Sequence, residues 1–253
     1  MQNPRSLLIT GASSGIGEAL ALAYAGPETS IALGGRDAAR LDAVAMACRQ
    51  RGATVRTAVV DVTDRAGMAR WIEEVDAAAP VDLVIANAGT GGGTGNGVET
   101  EQQTRKVAAV NLDGVYNTVL PLIPKLVARG RGQIALMSSL ASFRGFPGAP
   151  TYSASKAAVR VWGEGLRGDL HRHGVEVNVI CPGFVVSRMT ANNEFPMPFL
   201  MTAERAAAII RRGLARNRGR IAFPLPMYAV VWLTAALPPA LTDPLFRRLP
   251  KKI

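Results

Sequence analysis

The sequence predicts an α/β domain built on one doubly wound, parallel sheet of seven strands, with helices on both faces. Short apolar stretches alternate with segments of helical spacing along most of the chain. Several apolar stretches are continuous rather than alternating (LLIT, VDLVIA, EVNVIC), which is typical of strands covered on both faces. The length of 253 residues suits one such domain with a full core.

The elements follow one another in a regular β–α order. Strands are predicted at 6–10, 30–33, 55–60, 81–86, 133–138, 175–181 and 219–223, and helices at 15–26, 37–51, 64–79, 101–128, 152–173 and 202–216. This order describes a Rossmann-type catalytic domain over 1–225. Residues 184–201, rich in Met and Phe, are expected to form a substrate lid, and 226–253 an apolar, then basic, tail packed on the domain.

Composition and charge exclude several classes of protein. The two cysteines, Cys48 and Cys181, lie far apart without metal-ligand spacing, so we expect no metal site and no disulfide, as in the reducing cytoplasm. The N-terminus runs directly into a strand, and no signal peptide is expected. The net charge is +10, but the arginines are scattered without interleaved aromatic residues, so no nucleic-acid partner is expected.

A glycine-rich turn, TGASSGIG, follows the first strand and opens the first helix. Gly11 permits a tight turn, Gly15 lets the backbone approach a pyrophosphate, and Gly17 permits close packing of helix on sheet. The N–H groups at the start of the helix favour bound phosphates. The predicted cofactor-binding residues of this turn are Gly11, Ser13, Ser14, Gly15, Ile16 and Gly17.

An arginine stands where the second strand ends. An acidic residue there would bind the adenosine ribose and select NAD, but the sequence reads Gly34-Gly35-Arg36. Because a guanidinium suits a 2′-phosphate, the sequence predicts NADP(H), with NAD(H) as the alternative. A solvated arginine at the start of a helix would be the plain structural interpretation.

Polar residues suited to acid–base chemistry lie at the predicted carboxyl edge of the sheet. Tyr152 and Lys156 are four residues apart and share one helix face. An ammonium nearby favours a phenolate and is expected to lower the phenol pKa by roughly 1–3 units. Ser139 closes the fifth strand, where its hydroxyl could polarise a carbonyl, and Asn111 lies on the helix after the fourth strand.

In combination these motifs resemble the short-chain dehydrogenase/reductase family in its single-domain form, over about residues 5–223. The resemblance implies that Tyr152 is the acid/base and that Lys156 holds the nicotinamide ribose. It implies that Ser139 orients the substrate carbonyl and that Asn111 supports a water in a proton relay. The implied reaction interconverts a carbonyl and a secondary alcohol by hydride transfer with NADP(H).

The same resemblance adds further cofactor contacts and an assembly. Asp61 and Val62 would meet the adenine, and Ser187 the carboxamide. The remaining implied cofactor-binding residues are Asn87, Ala88, Gly89, Pro182, Gly183 and Val185. A homodimer or homotetramer is implied, formed through the helices of residues 111 and 152. Close packing against a partner helix is one reason for glycines at 163, 165 and 168 within the second of these helices.

Three questions keep alternatives open. The lid indicates a small apolar carbonyl or alcohol substrate, although its Met and Phe side chains could equally pack the lid itself. The tail could lie on a membrane surface, but packing over the cleft or against another subunit is favoured. In function, the alternatives are a non-catalytic NADP(H)-binding regulator or scaffold and an NAD-dependent alcohol oxidation.

Overall fold

A computed structural model of the chain describes residues 3–94, 97–191, 193 and 195–247. The strands are β1 (Ser6–Thr10), β2 (Ser30–Gly35), β3 (Thr54–Val59), β4 (Leu83–Ala86), β5 (Gly132–Met137), β6 (Val175–Pro182) and β7 (Arg220–Phe223). They form one parallel sheet in the order β3-β2-β1-β4-β5-β6-β7. The predicted doubly wound, seven-stranded Rossmann sheet is thereby confirmed.

Helices cover both faces of this sheet. They are α1 (Gly15–Tyr24), α2 (Ala38–Arg49), α3 (Arg65–Ala78), α4 (Glu101–Ala108), α5 (Gly114–Val119), α6 (Ile123–Arg129), α7 (Pro150–His171), α8 (Arg188–Ala191), α9 (Ala203–Ala215), α10 (Leu225–Ala236) and α11 (Pro239–Phe246). A π-helical turn, Ala109–Asp113, joins α4 to α5, and a 3-10 turn, Leu140–Ser142, follows β5.

The core consists of two layers, one on each face of the sheet. Successive side chains of a strand point to opposite faces, so Leu7 and Ile9 join the layer under α1, α2 and α9. Leu8, between them, joins the layer under α3, α5 and α7. The continuous apolar strands in the sequence reflect this double burial.

The single long helix predicted over 101–128 is wrong. The structure divides it into α4, the π-helical turn, α5 and α6, with a break at residues 120–122. Pro121 and Pro124 lack the N–H that an uninterrupted helix needs, which accounts for the break. The π-helical turn, which helical periodicity does not reveal, carries Asn111.

The glycines of α7 do not share one purpose. A β-carbon on Gly163 would lie 2.6 Å from Leu136 Cδ1 and 2.7 Å from Val179 Cγ2, so this glycine lets α7 approach the sheet of its own chain. A β-carbon on Gly165 or Gly168 would meet no atom within 4 Å. We expected these glycines to allow close packing against a partner helix. At Gly163 the close packing is instead against β5 and β6 of the same chain.

The last described part of the chain forms two helices beside the 3-10 turn. Asp243 of α11 pairs with Arg144 at 2.6 Å, and the ring of Phe246 lies 5.4 Å from that of Phe146. None of the described helices is both long and apolar enough to cross a bilayer. Of the basic residues predicted for the tail, Arg248, Lys251 and Lys252 lie outside the described residues.

Candidate active site

The glycine-rich turn has the conformation that its sequence predicts. Gly11 and Gly15 have φ of 65° and 60°, values that favour glycine. A β-carbon on Gly17 would lie 2.3 Å from the carbonyl oxygen of Gly11, so a side chain is excluded there. Asn87 holds the turn by donating from Nδ2 to the carbonyl oxygens of Thr10 (3.0 Å) and Gly11 (3.1 Å).

Asn87 and Ala88 are in turn fixed by β1. Their backbone N–H groups both donate to Thr10 Oγ1 at 3.2 Å. Thr10 is buried at the carboxyl end of β1, so its hydroxyl locks the ends of β1 and β4 together. We did not predict this role from the sequence, in which Thr10 is the first residue of the glycine-rich TGASSGIG motif.

The start of α1 fits a phosphate group. Ser14 stands at the N-cap in an extended conformation, yet its side chain accepts no capping hydrogen bond, so it leaves the first-turn N–H groups of α1 uncapped. Such groups favour an anion. Ser13 lies close to Gly35 at the end of β2, and Ser187 lies over Gly15, where a β-carbon would be 3.1 Å from Ser187 Cβ. The glycine cradle thus fits a pyrophosphate, while Ile16 beside it packs against the core.

Arg36 lies exposed beyond the end of β2 and close to Asp61. Hydrogen bonds from the backbone N–H and the hydroxyl of Thr63 lower the pKa of Asp61, and the positive charge of Arg36 lowers it further. Within the described part of the chain Arg36 forms no ion pair with a carboxylate. Its guanidinium therefore retains its donors for a bound anion.

Val62 forms a buried wall next to Asp61. A β-carbon on Gly114 would lie 2.6 Å from Val62 Cγ2, and Asn117 donates from Nδ2 to the carbonyl oxygen of Val62 at 2.9 Å. α5 therefore fixes Val62, one of the two residues that the resemblance assigns to adenine, while Thr63 holds the other, Asp61. Gly114 and Asn117 carry no motif of their own and were missed.

Tyr152, Lys156 and Ser139 come together at the carboxyl end of β5. Lys156 is 3% exposed, its Nζ donates to the carbonyl oxygen of Met137 at 2.9 Å, and it lies 5.9 Å from the ring centroid of Tyr152. Ser139 caps the 3-10 turn by accepting from the N–H of Ala141 at 3.1 Å, and its hydroxyl also hydrogen-bonds the phenol of Tyr152.

The expected depression of the phenol pKa is not seen. Burial raises the pKa of Tyr152, and the hydrogen bond with Ser139 offsets this only partly. Burial also lowers the pKa of Lys156 to about 8. The expectation considered only the attraction between ammonium and phenolate, whereas removing both groups from water disfavours both charges.

Asn111 is placed by the π-helical turn against the same pair. It is fully buried; its Oδ1 accepts from the N–H of Thr90 (2.7 Å), and its Nδ2 donates to Thr90 O and to Ser155 Oγ. A β-carbon on Gly89 would lie 3.2 Å from Asn111 Oδ1 and 3.4 Å from Lys156 Nζ. Asn111 therefore connects the segment after β4 to α7 through hydrogen bonds. Its part in a proton relay stays a prediction.

Helix α7, which carries Tyr152 and Lys156, is held in place by Glu99, which the sequence did not single out, and by Ser138, which closes β5 together with Ser139. Ala149, at the N-cap of α7, has no side-chain acceptor; Glu99 Oε2 instead accepts from the N–H of Thr151 at 3.1 Å and from its hydroxyl. Ser138 Oγ donates to the carbonyl oxygen of Lys156 at 2.7 Å. The contact of Glu99 spans 52 residues, so no local pattern could have revealed it.

The residues predicted after β6 lie at the same edge. Gly183 donates to the carbonyl oxygen of Phe223 at 2.8 Å and follows Pro182, the last residue of β6. Val185 pairs with Met201 and has its side chain in the core, and its carbonyl oxygen accepts from Thr190 Oγ1 at 2.9 Å, so its N–H is the group left to face a ligand. Ser187 starts the turn into α8, where its N–H donates to Thr190 Oγ1 at 2.9 Å.

A cavity of about 690 Å³ lies between the 3-10 turn, α7 and α11. It is bordered by Ala141, two residues after Ser139, and by Ser153, next to Tyr152. Its larger apolar walls are Val98, Phe143, Phe146 and Phe246. No described residue of the lid lines this cavity. Phe199 and Leu200 of the lid are exposed, whereas Met201 is buried in the core, so the lid both packs against the core and presents apolar surface.

Comparison with known proteins agrees with this geometry. The family model described as short chain dehydrogenase matches residues 5–196. The chain is 39% identical over 246 residues to an uncharacterized oxidoreductase of Myxococcus xanthus, covering 97% of both chains. The structure of a short-chain dehydrogenase from Sphingobium yanoikuyae in complex with NADPH is similar, with a TM-score of 0.81, 25% identity, and coverage of 97% of this chain and 96% of that one.

A second solved structure has the same relationship. It is an alcohol dehydrogenase from Thermococcus sibiricus complexed with 5-hydroxy-NADP, with a TM-score of 0.78, 26% identity, and coverage of 87% of this chain and 95% of that one. The family match covers most of the chain and includes the glycine-rich turn and the Tyr152–Lys156 pair. The chain therefore belongs to the short-chain dehydrogenase family and is an oxidoreductase.

Proposed function

We propose that the protein is an NADP(H)-dependent oxidoreductase that interconverts a carbonyl and a secondary alcohol on an apolar substrate. The observation that carries this proposal is the convergence of three groups at one sheet edge. The Ser139 hydroxyl, the Tyr152 phenol and the buried Lys156 ammonium meet beside a glycine cradle that fits a pyrophosphate. Ligands of open α/β sheets bind at this edge.

The residues of the chain divide the work in the following way. A bound nicotinamide supplies or accepts the hydride. In reduction, Tyr152 donates its proton to the substrate oxygen as negative charge develops there, and Ser139 donates a hydrogen bond to the same oxygen. For this the Ser139 hydroxyl turns from the phenol of Tyr152 to the substrate oxygen, while its own oxygen keeps accepting from the N–H of Ala141.

Lys156 supplies positive charge to this arrangement. With a pKa of about 8 its ammonium is charged at neutral pH, yet it sits in a water-poor site where charge acts strongly. A substrate oxygen and a phenolate both gain from that charge as the proton moves. The helix that carries Lys156 is fixed at two points, by Glu99 on Thr151 and by Ser138 on the Lys156 carbonyl.

The preference for NADP(H) rests on Arg36. Its guanidinium lies exposed beyond β2, and among the described residues it pairs with no carboxylate. Asp61, whose pKa its charge lowers, is hydrogen-bonded to Thr63. A 2′-phosphate offers oxygens for bidentate contact. The similar Sphingobium yanoikuyae and Thermococcus sibiricus proteins, in complex with NADPH and with 5-hydroxy-NADP, support the same choice.

The apolar substrate is supported by the aromatic residues that line the cavity of about 690 Å³, namely Phe143, Phe146 and Phe246, which would contact the body of a ketone. The same lining holds charged residues as well: Glu99, Arg144, Asp243 and Arg247. A non-catalytic regulator remains the second class of function. A regulator has no need of the buried Lys156 ammonium, however, and burying a charged group lowers the stability of the fold. NAD-dependent alcohol oxidation is the third.

Assembly and location complete the proposal. We propose a homodimer or homotetramer formed through α5 and α7, where Tyr116 contacts Trp162 edge to face and Val161 is left exposed. Both cysteines are buried and unpaired, which supports a reducing compartment such as the cytoplasm. Light scattering of the purified chain would test the assembly; a monomer at all concentrations would contradict it.

Cofactor titration followed by ketone reduction tests the function. NADPH should bind much more tightly than NADH, and Arg36→Asp should reverse or abolish the difference. Tyr152→Phe should keep NADPH binding and lose about 10²–10⁴-fold in reduction rate on a bulky ketone that the wild type reduces. Tight cofactor binding with no reduction or oxidation across a broad screen would favour the non-catalytic alternative.

A further inference from the structure

The two C-terminal helices present an apolar surface that the other described residues of the chain do not cover. Within α10, Val231 is buried, whereas Leu225 is 72% exposed, Trp232 55% and Leu233 56%. We call the exposed side chains of this region the C-terminal apolar face; its members are Leu225, Val230, Trp232, Leu233, Leu237 and Leu241. Contiguous exposure of large apolar residues on this scale marks a surface that binds something.

This face is a fixed part of the molecule. Tyr228 of α10 packs its ring 5.3 Å from that of Phe143, and α11 is tied down by the Arg144–Asp243 ion pair and by the contact of Phe246 with Phe146. The helices are therefore anchored by the sides that face the domain. The apolar residues on the opposite sides are held outward together.

The pattern of charge indicates the kind of partner. From Ile221 to Thr242 the sequence contains no Lys, Arg, Asp or Glu. After Asp243 it contains four cations and no acidic residue: Arg247, Arg248, Lys251 and Lys252. The helix pair thus carries one charge, Asp243, which is paired with Arg144, and a basic cluster follows it. Exposed apolar side chains with cations beside them suit the interface of an anionic bilayer.

The dimensions fit a surface position and not a span. The twelve residues of α10 extend about 18 Å at about 1.5 Å per residue, against about 30 Å for the hydrocarbon core. Trp232 is a residue type that favours the headgroup level of a membrane. We choose the bilayer over a second copy of the chain because a molecule of charge +10 is attracted to anionic lipid, whereas two such molecules repel each other.

The face also adjoins the entrance to the site. A β-carbon on Gly183 would lie 3.1 Å from Met227 Sδ, so the start of α10 packs where the lid begins. The lid carries exposed apolar residues of its own, Val186 and Phe199. We propose that the C-terminal apolar face binds the surface of an anionic phospholipid bilayer, with the basic residues after α11 against the lipid phosphates.

Vesicle flotation of the full chain tests the proposal without reference to catalysis. The probes are vesicles of phosphatidylcholine alone and of phosphatidylcholine with about one third phosphatidylglycerol. We expect binding to the anionic vesicles that weakens as salt rises. The double variant Trp232→Gln with Leu233→Gln should bind at least about tenfold more weakly, because it removes apolar area from the interface.

Two matched variants separate the surface from general effects. Met46→Gln changes an equally exposed apolar residue of α2, which packs at the opposite edge of the sheet, and should bind like the wild type. Replacing the four C-terminal cations by Gln should remove the preference for anionic vesicles. All the changed side chains of α10 and α2 are exposed, so the fold is preserved, which circular dichroism would verify.

Three outcomes would overturn the proposal. The first is no flotation of the wild-type chain with anionic vesicles. The second is a loss with Met46→Gln equal to that of the α10 double variant. The third is a change from dimer to monomer when Trp232 and Leu233 are replaced, without any loss of vesicle binding, which would assign the face to a second copy of the chain.

Discussion

Burial of the Lys156 ammonium predicts a pH dependence of stability that Lys156→Met removes. Lys156 is 3% exposed, and burial lowers its pKa from 10.5 to about 8. Between these values the unfolded chain binds more protons than the folded one, so the fold gains stability as pH rises through this window. At about 1.4 kcal/mol per pKa unit the full gain is about 3 kcal/mol, and about 2 kcal/mol of it develops between about pH 7.5 and 9.5.

Urea unfolding at these two pH values, without added cofactor, measures the effect. The free energy of unfolding of the wild type minus that of Lys156→Met should be about 2 kcal/mol larger at the higher pH than at the lower one. Burial raises the pKa of Cys181, the neighbouring thiol, to about 11, so it stays protonated throughout. Lys106→Met, on the exposed side of α4, is the control and should follow the wild type. A difference that stays constant with pH would refute the reasoning.

Two further predictions concern α7, the helix that carries Tyr152 and Lys156. Gly163→Ala should destabilise the fold by about 1–3 kcal/mol by pressing on Leu136 and Val179, whereas Gly165→Ala, with open space around it, should stabilise it by about 0.5–1 kcal/mol. Equal shifts in urea midpoint would contradict this contrast. Glu99→Ala should cost about 1 kcal/mol by uncapping α7, and Glu99→Gln, which keeps an acceptor, less; equal losses would show that charge matters more than the hydrogen bond.

The features predicted from the sequence are those encoded by neighbours in the chain. Continuous apolar runs specified buried parallel strands, and the turn from Gly11 to Gly17 specified a phosphate cradle, because both patterns act over a few residues. The spacing of Tyr152 and Lys156 likewise fixed one helix face. Each of these local features has the expected place at the carboxyl edge of the sheet.

Features that depend on distant contacts were not predicted. The capping of α7 by Glu99 joins residues 52 apart, and the π-helical turn that carries Asn111 has no distinct periodicity. The direction of the Tyr152 pKa was wrong because the expectation counted a charge and not the loss of water. Burial is a property of the folded whole, so a pair of side chains read from the sequence cannot report it.

The way the site is supported explains why it can keep a buried charge. The Lys156 ammonium is satisfied by a main-chain acceptor, Met137 O, at the end of β5, and the Lys156 carbonyl is held by Ser138 from the same strand end. A strand in the middle of the sheet thus fixes the lysine at both its side chain and its backbone. Because β5 lies between β4 and β6, movement of that acceptor would require breaking two ladders of hydrogen bonds. The acceptor of the buried ammonium therefore lies on a strand that is paired on both sides, which keeps the charge beside Tyr152.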